Sequence, residues 1–200
     1  MRVRPETKER TRADLLQAAE RLFAEVGFGT ATTRAIAAAA GVAAGTVFNY
    51  FPTKEALAAA LLARGYEAAW GERDASARAE ESVEEALFAL IATELRHLAP
   101  RRAWIPEVVH AGLSPLRRGA DAGAAELRVA HLERVVAHVR AAGLREPGDL
   151  TLHLYWTLYL GVLGFWSRDD SEHQEATLAL LDRSIRLFAH ALREDEPTET

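Results

Sequence analysis

The apolar residues of the chain recur at intervals of three and four positions, which is the spacing of one face of an α-helix. Glycines, prolines and N-capping residues divide this pattern into separate segments. The pattern therefore predicts an all-α protein with helices at about residues 8–26, 32–40, 43–50, 54–73, 82–99, 104–111, 124–142, 148–166 and 171–192.

Composition agrees with this prediction, because 49% of the 200 residues are hydrophobic and most of these are Ala, Leu and Val. The chain has no cysteine, which excludes disulfides and thiolate metal sites and is typical of a reducing compartment. The N-terminal segment 1–12 is rich in charged residues and is not apolar, unlike a signal peptide, and the longest apolar stretch, 154–166, is too short to span a bilayer. We expect a cytoplasmic protein without a membrane partner.

Charge is distributed unevenly along the chain, although the net charge is only -5. Up to Lys54 there are eight basic and five acidic residues, which gives +3, whereas the remainder carries -8. A basic N-terminal head on an acidic body would direct polyanions to one end of the protein. Short segments also drift by a few charges, so this asymmetry needs a motif to support it.

The second and third predicted helices are short and are joined by a tight turn at Gly41, after a longer supporting helix. This is the arrangement of a helix-turn-helix, whose second short helix enters the major groove of DNA. At helical spacing, Val47 and Phe51 lie on one face and pack inward. The opposite face consists of Ala44, Gly45, Phe48 and Asn49, with Thr46 and Tyr50 at its margins.

The exposed face of the third helix has the chemistry for reading DNA. Its small residues allow the backbone to approach base edges, Asn49 is suited to bidentate pairing with adenine, and Phe48 to contact with a thymine methyl group. The Tyr50 hydroxyl is within reach of a phosphate. Lys54 and Arg34 each lie in the first turn of a helix, where a cation opposes the helix dipole and a phosphate would compensate it. The alternative is that Lys54 is an ordinary solvated side chain.

These elements together resemble the TetR/AcrR family of bacterial regulators over about residues 8–62. The resemblance is carried by 15–23, 32–37, 40–42, 45–51 and 54–57. It implies an Ω-shaped homodimer of nine-helix chains whose two heads occupy successive major grooves of a palindromic operator. It also implies phosphate contacts from Thr33, Arg34, Tyr50 and Lys54, and groove contacts from Ala44, Gly45, Thr46, Phe48 and Asn49.

The chain departs from the family pattern at the start of the third helix. Ala43 and Ala44 stand where Ser-Lys is common, and Phe48 replaces a common Tyr. Affinity should therefore depend more on Asn49 and on the basic segment 2–12, which is either a DNA-contacting arm or a frayed terminus. Specificity should depend mainly on Gly45, Thr46, Phe48 and Asn49. We place the DNA-binding domain at 1–53 and an effector-binding and dimerisation domain at 54–200.

The last two predicted helices favour a dimer. Helix 148–166 is apolar nearly all round, and the apolar residues of helix 171–192 follow the three-four spacing of a helix pair. A four-helix interface with a second copy would bury both, and the family resemblance points to the same helices. The predicted interface residues are Trp156, Leu160, Leu163, Leu178, Leu181, Ile185 and Phe188. The alternative is an intramolecular core.

A cavity for a small, mostly apolar effector is predicted from aromatic and polar-tipped residues of the body. The candidate lining residues are Phe88, Trp104, His110, Tyr155 and Tyr159, which are equally consistent with plain core. The family resemblance implies that effector binding changes the angle of the fourth helix. No metal, cofactor or catalytic site is predicted, since His131 and His138 share a helix face but lie two turns apart, about 10 Å.

The sequence therefore favours a DNA-binding regulator, and the family resemblance implies a repressor released from its operator by an effector. Two other functions remain open at this point. One is a non-specific nucleic-acid-binding protein, against which the overall acidity argues. The other is a small-molecule carrier or enzyme built on a helical body.

Overall fold

The computed structural model describes residues 5–78, 80–110 and 122–194, and within them the chain forms nine α-helices and no strand. The all-α prediction is confirmed. The helices are α1 (Pro5–Val26), α2 (Thr33–Ala39), α3 (Ala44–Phe48), α4 (Lys54–Ser76), α5 (Val83–Leu98), α6 (Ile105–Val108), α7 (Ala122–Ala141), α8 (Asp149–Trp166) and α9 (Glu175–Glu194).

Two predicted helix starts differ from the observed ones by three residues or more. Helix α1 begins at Pro5, so most of the predicted arm is helical, while residues 1–4 lie outside the described residues, as does the tail 195–200. Helix α9 begins at Glu175 and not at Ser171. The reason is that His173 and Gln174 have φ values of 48° and 58°, in the left-handed region that a helix cannot continue through.

The chain divides into two compact units, Met1–Arg64 with Ala103–Glu126, and Gly65–Arg102 with Leu127–Thr200. This division differs from the predicted boundary after residue 53. The first unit includes the start of α4, where Leu57 is fully buried, and it includes α6. Just before α6, the Trp104 ring packs edge-on against Phe23 of α1, with 5.3 Å between ring centroids.

The first unit is built around a helix-turn-helix. Ile36 of α2 and Val47 of α3 are fully buried, and α2 packs against both α1 and α3. The Thr32 hydroxyl caps α2 by accepting the Ala35 N–H at 3.1 Å. Gly41, at φ 70°, ends α2 in the left-handed conformation that glycine adopts without strain. These local signals set the turn between α2 and α3.

In the second unit, α9 packs against α8 and α5 and forms the core with them. Trp156 and Trp166 of α8 and Phe188 of α9 are almost fully buried. Helix α5 begins with a capping box between Ser82 and Glu85. Among the residues that the structure describes, no helix combines the length and the apolar character needed to cross a bilayer.

The loop between α1 and α2 is held by two oppositely charged side chains of the first unit. Lys54 Nζ donates to the carbonyl oxygens of Phe28 at 2.6 Å, Ala31 at 3.0 Å and Gly29 at 3.3 Å. The Gly29 N–H in turn donates to a carboxylate oxygen of Glu107 at 2.6 Å. Three acceptors thus match the three N–H donors of the ammonium group. Because this loop leads into α2, the two charges help to position the helix-turn-helix.

We expect Lys54→Met to lower the free energy of unfolding by about 1–3 kcal/mol, because hydrogen bonds to a charged group are lost from three carbonyls. The measurement is urea denaturation of the protein without DNA. Lys8→Met is the matched control, since Lys8 is exposed on α1. Equal stability of the two variants would contradict a structural role for the Lys54 contacts.

Candidate functional site

Helix α3 separates into a buried and an exposed face, as the sequence pattern predicts. Val47 is fully buried, and Phe51, which follows the helix, is 4% exposed beneath the guanidinium group of Arg12. The exposed residues are Ala44, Gly45, Phe48 and Asn49, with Thr46 and Tyr50 half-buried beside them. The helix thus presents to solvent the residues predicted to enter the major groove.

The start of α3 leaves room for close approach. Ala43 makes no side-chain cap, in agreement with the missing Ser noted in the sequence. A Cβ placed on Gly45 would meet no atom within 4 Å, so none of the residues that the structure describes covers this position. Phe48 is 54% exposed. An open surface that ends in an aromatic ring and an amide is suited to base-edge contacts.

The predicted phosphate-contacting residues fall into two groups. Arg34 is exposed in the first turn of α2, next to half-buried Thr33, and Tyr50 is half-buried after α3. Lys54 differs, because its ammonium group is bonded to the loop carbonyls described above. Carbonyl acceptors within the first unit therefore compensate the Lys54 charge without a phosphate, and its contact with DNA stays a prediction.

Six of the seven predicted interface residues lie in the core of the second unit. Their exposed fractions do not exceed 9%, and only Leu178 is exposed, at 37%. The six are Trp156, Leu160, Leu163, Leu181, Ile185 and Phe188. The three-four spacing that suits a helix pair between chains is satisfied here by packing of α9 on α8 and α5 within one chain, and the interface itself stays a prediction.

A different surface of α8 is apolar and open to solvent. We call it the α8 outer face and define it by Leu150, Leu154, Gly161 and Phe165, which lie on one side of the helix. Leu150 is 83% exposed, Leu154 40% and Phe165 45%. A Cβ on Gly161 would meet no atom within 4 Å, so another helix could approach closely there.

Only two of the five predicted pocket residues are brought together. Tyr155 and Tyr159 of α8 lie with their rings nearly parallel and 6.1 Å apart. Trp104 instead packs on Phe23 in the first unit, His110 is exposed, and Phe88 is half-buried on α5. The structure thus separates residues that the sequence grouped by chemical type alone.

The two tyrosines belong to a buried polar network that the sequence analysis missed. We call it the Glu94 cage and define it by Tyr66, Trp70, Glu94, His131, Tyr155 and Tyr159. Glu94 is fully buried and accepts hydrogen bonds from Trp70 Nε1 at 2.7 Å and from the Tyr159 hydroxyl at 3.0 Å. The hydroxyls of Tyr66 and Tyr159 are 2.6 Å apart, and His131 Nε2 is 2.8 Å from the Tyr155 hydroxyl.

Burial raises the pKa of Tyr66, Tyr155 and Tyr159, and the negative charge of Glu94 raises it further. These hydroxyls therefore stay neutral at physiological pH. A sequence signal for the cage did exist. The buried stripe of α5 runs through Leu87, Leu90, Ile91, Glu94 and Leu98, so a carboxylate occupies a core position.

A family model described as "Bacterial regulatory proteins, tetR family" matches residues 15–61, which include the helix-turn-helix. A search of curated proteins found no match.

Several solved structures share the fold over most of the chain. A TetR transcriptional regulator from Rhodococcus sp. RHA1 is 23% identical, with a TM-score of 0.72, and the match covers 90% of this chain and 97% of that one. The TetR regulator from Nitrosomonas europaea is 25% identical, with a TM-score of 0.65, over 90% and 98% of the two chains. FadR from Thermus thermophilus, a TetR family repressor in complex with lauroyl-CoA, is 24% identical, with a TM-score of 0.64, over 94% and 97%.

The family model covers the head, and the structural matches cover the fold as a whole. Residues 15–61 therefore belong to the tetR family of helix-turn-helix DNA-binding domains, and the chain as a whole has the fold of TetR transcriptional regulators.

Proposed function

We propose that this protein is a cytoplasmic repressor that binds a palindromic operator as a homodimer and is released from it by a small, mostly apolar effector. The observation that carries the proposal is the exposed face of α3. Ala44, Gly45, Phe48 and Asn49 project from a helix whose other face is anchored by buried Val47. A recognition helix needs this combination of a fixed backbone and an uncovered, sterically open face.

The effector is assigned to the second unit. Its core contains buried hydrogen-bonding groups in the Glu94 cage, beside apolar side chains of α5, α8 and α9. Ligand sites combine apolar walls with a few orienting polar groups in this way. Lauroyl-CoA, the ligand of Thermus thermophilus FadR, shows that a related fold accommodates an apolar chain.

The rival functions are distinguished by DNA specificity. A non-specific binder would bind random DNA nearly as well as a selected site, with the same salt dependence. A carrier or enzyme would bind no selected site. Selection of binding sites from random DNA, followed by titration of selected and random duplexes across salt concentrations, separates all three.

We expect Asn49→Ala to weaken binding to the selected operator by about 5- to 150-fold, the loss of one bidentate base contact worth about 1–3 kcal/mol. The unfolding free energy should be unchanged, because Asn49 is exposed. Fluorescence anisotropy with labelled operator measures the affinity.

Gln17→Ala is the matched control, since it removes an exposed amide from α1 and should leave operator affinity intact. If Asn49→Ala binds the operator as tightly as Gln17→Ala, the assignment of α3 as the base-reading helix is wrong.

The homodimer is proposed to form through the α8 outer face. Leu150, Leu154 and Phe165 would lose their exposed apolar surface there, and Gly161 would allow the partner helix to pack closely. Burial of this face removes the cost of leaving it in water. A second copy presents the same face, as a two-fold interface requires.

We expect Gly161→Arg to raise the dimer dissociation constant by at least about 100-fold, because an unpaired charge would be buried between the helices. Light scattering over a concentration series measures the oligomeric state. Gly71→Arg, on the exposed side of α4, is the matched control, since a Cβ there also meets no atom. A Gly161→Arg protein that remains as dimeric as Gly71→Arg would exclude this face as the interface.

A further inference from the structure

Glu94 carries a carboxylate in the interior of the second unit, with its side chain fully buried. Such a group is costly unless donors surround it. Trp70 and Tyr159 supply two aligned hydrogen bonds. His131 Nδ1 lies 3.1 Å from Oε1, but it makes no hydrogen bond of acceptable geometry. One side of the carboxylate thus faces a poorly aligned donor, which a better-placed donor could replace.

The side chains around Glu94 are aromatic. The His131 ring is 4.2 Å from the Tyr159 ring, and Tyr155 stacks nearly parallel to Tyr159. Tyr66 and Trp70 face each other at 5.7 Å. Aromatic faces carry negative potential and attract cations, with tryptophan the most effective. The Glu94 carboxylate and the aromatic rings around it therefore both favour a positively charged ligand.

An apolar cavity adjoins the cage. Its volume is about 10 Å³, roughly the size that admits one water-sized group. Tyr155 and Tyr159 line both the cavity and the cage. The other apolar lining residues are Ile91, Leu158, Val162, Leu181 and Ile185. An apolar group that enters here must move α5, α8 and α9 apart, and its polar end would lie beside Glu94.

We propose that the effector is an organic amine with an apolar body, whose ammonium group binds Glu94 inside the cage and whose body occupies the adjoining cavity. This inference rests on the proposed function, in which an effector binds the second unit. The ammonium donates to Glu94 Oε1 in place of His131, which keeps its bond to Tyr155. The body widens the cavity, which couples binding to a rearrangement of the core helices.

A carboxylate or acyl phosphate ligand fits this site poorly. It would place a second negative charge beside Glu94, and among the described residues no lysine or arginine nitrogen lies within 4 Å of that carboxylate. Arg128 and Arg134 stack on Trp156 and Trp70 at 5.5 Å, and Arg134 is paired with Asp74. The ligand class therefore differs from the lauroyl-CoA of Thermus thermophilus FadR.

The test uses three probes with the same eight-carbon chain, namely octylamine, octanoate and 1-octanol. Calorimetric titration of the full-length protein with each probe measures its affinity. We expect octylamine to bind at least about tenfold more tightly than either of the others. Octylamine should also weaken binding to the selected operator. Equal or tighter binding of octanoate or 1-octanol overturns the proposal.

Glu94→Gln keeps the shape of the side chain and removes its charge, so the preference for octylamine should fall to less than about twofold. Glu67→Gln is the matched control, since it removes an exposed carboxylate from α4, outside the cage. This variant should retain the preference. If both variants lose it equally, the preference does not come from Glu94 and the proposal fails. If Glu94→Gln does not fold, the three probes on the native protein decide.

These outcomes also separate the inference from the proposed function. Release of the operator by octanoate, but not by octylamine, would leave an effector-controlled repressor with a different ligand class. Failure to select any operator would reject the repressor, while the probe affinities would still decide whether Glu94 forms a cation site.

Discussion

A helix of five residues is not stable in water by itself, so the DNA-reading surface depends on the contacts that hold α3 in place. Val47 fixes the helix to the core of the first unit, and the buried Phe51 ring fixes the chain that leaves it. The loop before α2 is fixed by Lys54 and Glu107. With its anchors on one side, α3 leaves its other side free for a ligand. Phe48 and Asn49 are exposed because the contacts that anchor α3 lie on its other side.

The charged side chains of the two units have different roles. In the first unit, Lys54 is bonded to backbone carbonyls and stabilises a loop, although a cation at the start of a helix suggested a ligand. In the second unit, Glu94 lies in a core position of α5, where an apolar residue would be cheaper. A buried charge that a stable core does not require is a reasonable candidate for a recognition role. The two charges differ in whether backbone groups of the chain compensate them, and this cannot be read from the sequence.

The fold and the head could be predicted from sequence because their signals are local. The Thr32 cap, the Gly41 turn and the alternation of Val47 with exposed neighbours each act within a few residues. The interface and pocket could not be predicted in the same way. Helical spacing predicts that Leu181 and Phe188 are buried. The same spacing results whether the helix that covers them belongs to the same chain or to a second copy. Trp104 was grouped with Tyr155 by chemical type, and only the structure shows its contact with Phe23.

Six of the predicted interface residues are buried within one chain, so a partner helix would have to meet other residues of α8. Once α5 and α9 cover one side of α8, the apolar residues left over are Leu150, Leu154 and Phe165, and these recur at the spacing of a single helix face. Gly161 lies within the same face, where a Cβ would meet no atom of the described residues within 4 Å. A glycine in a helix interior lowers helix stability by about 1 kcal/mol relative to alanine. That cost is offset if a second helix packs against the bare backbone, so both the apolar residues and the glycine point to the α8 outer face.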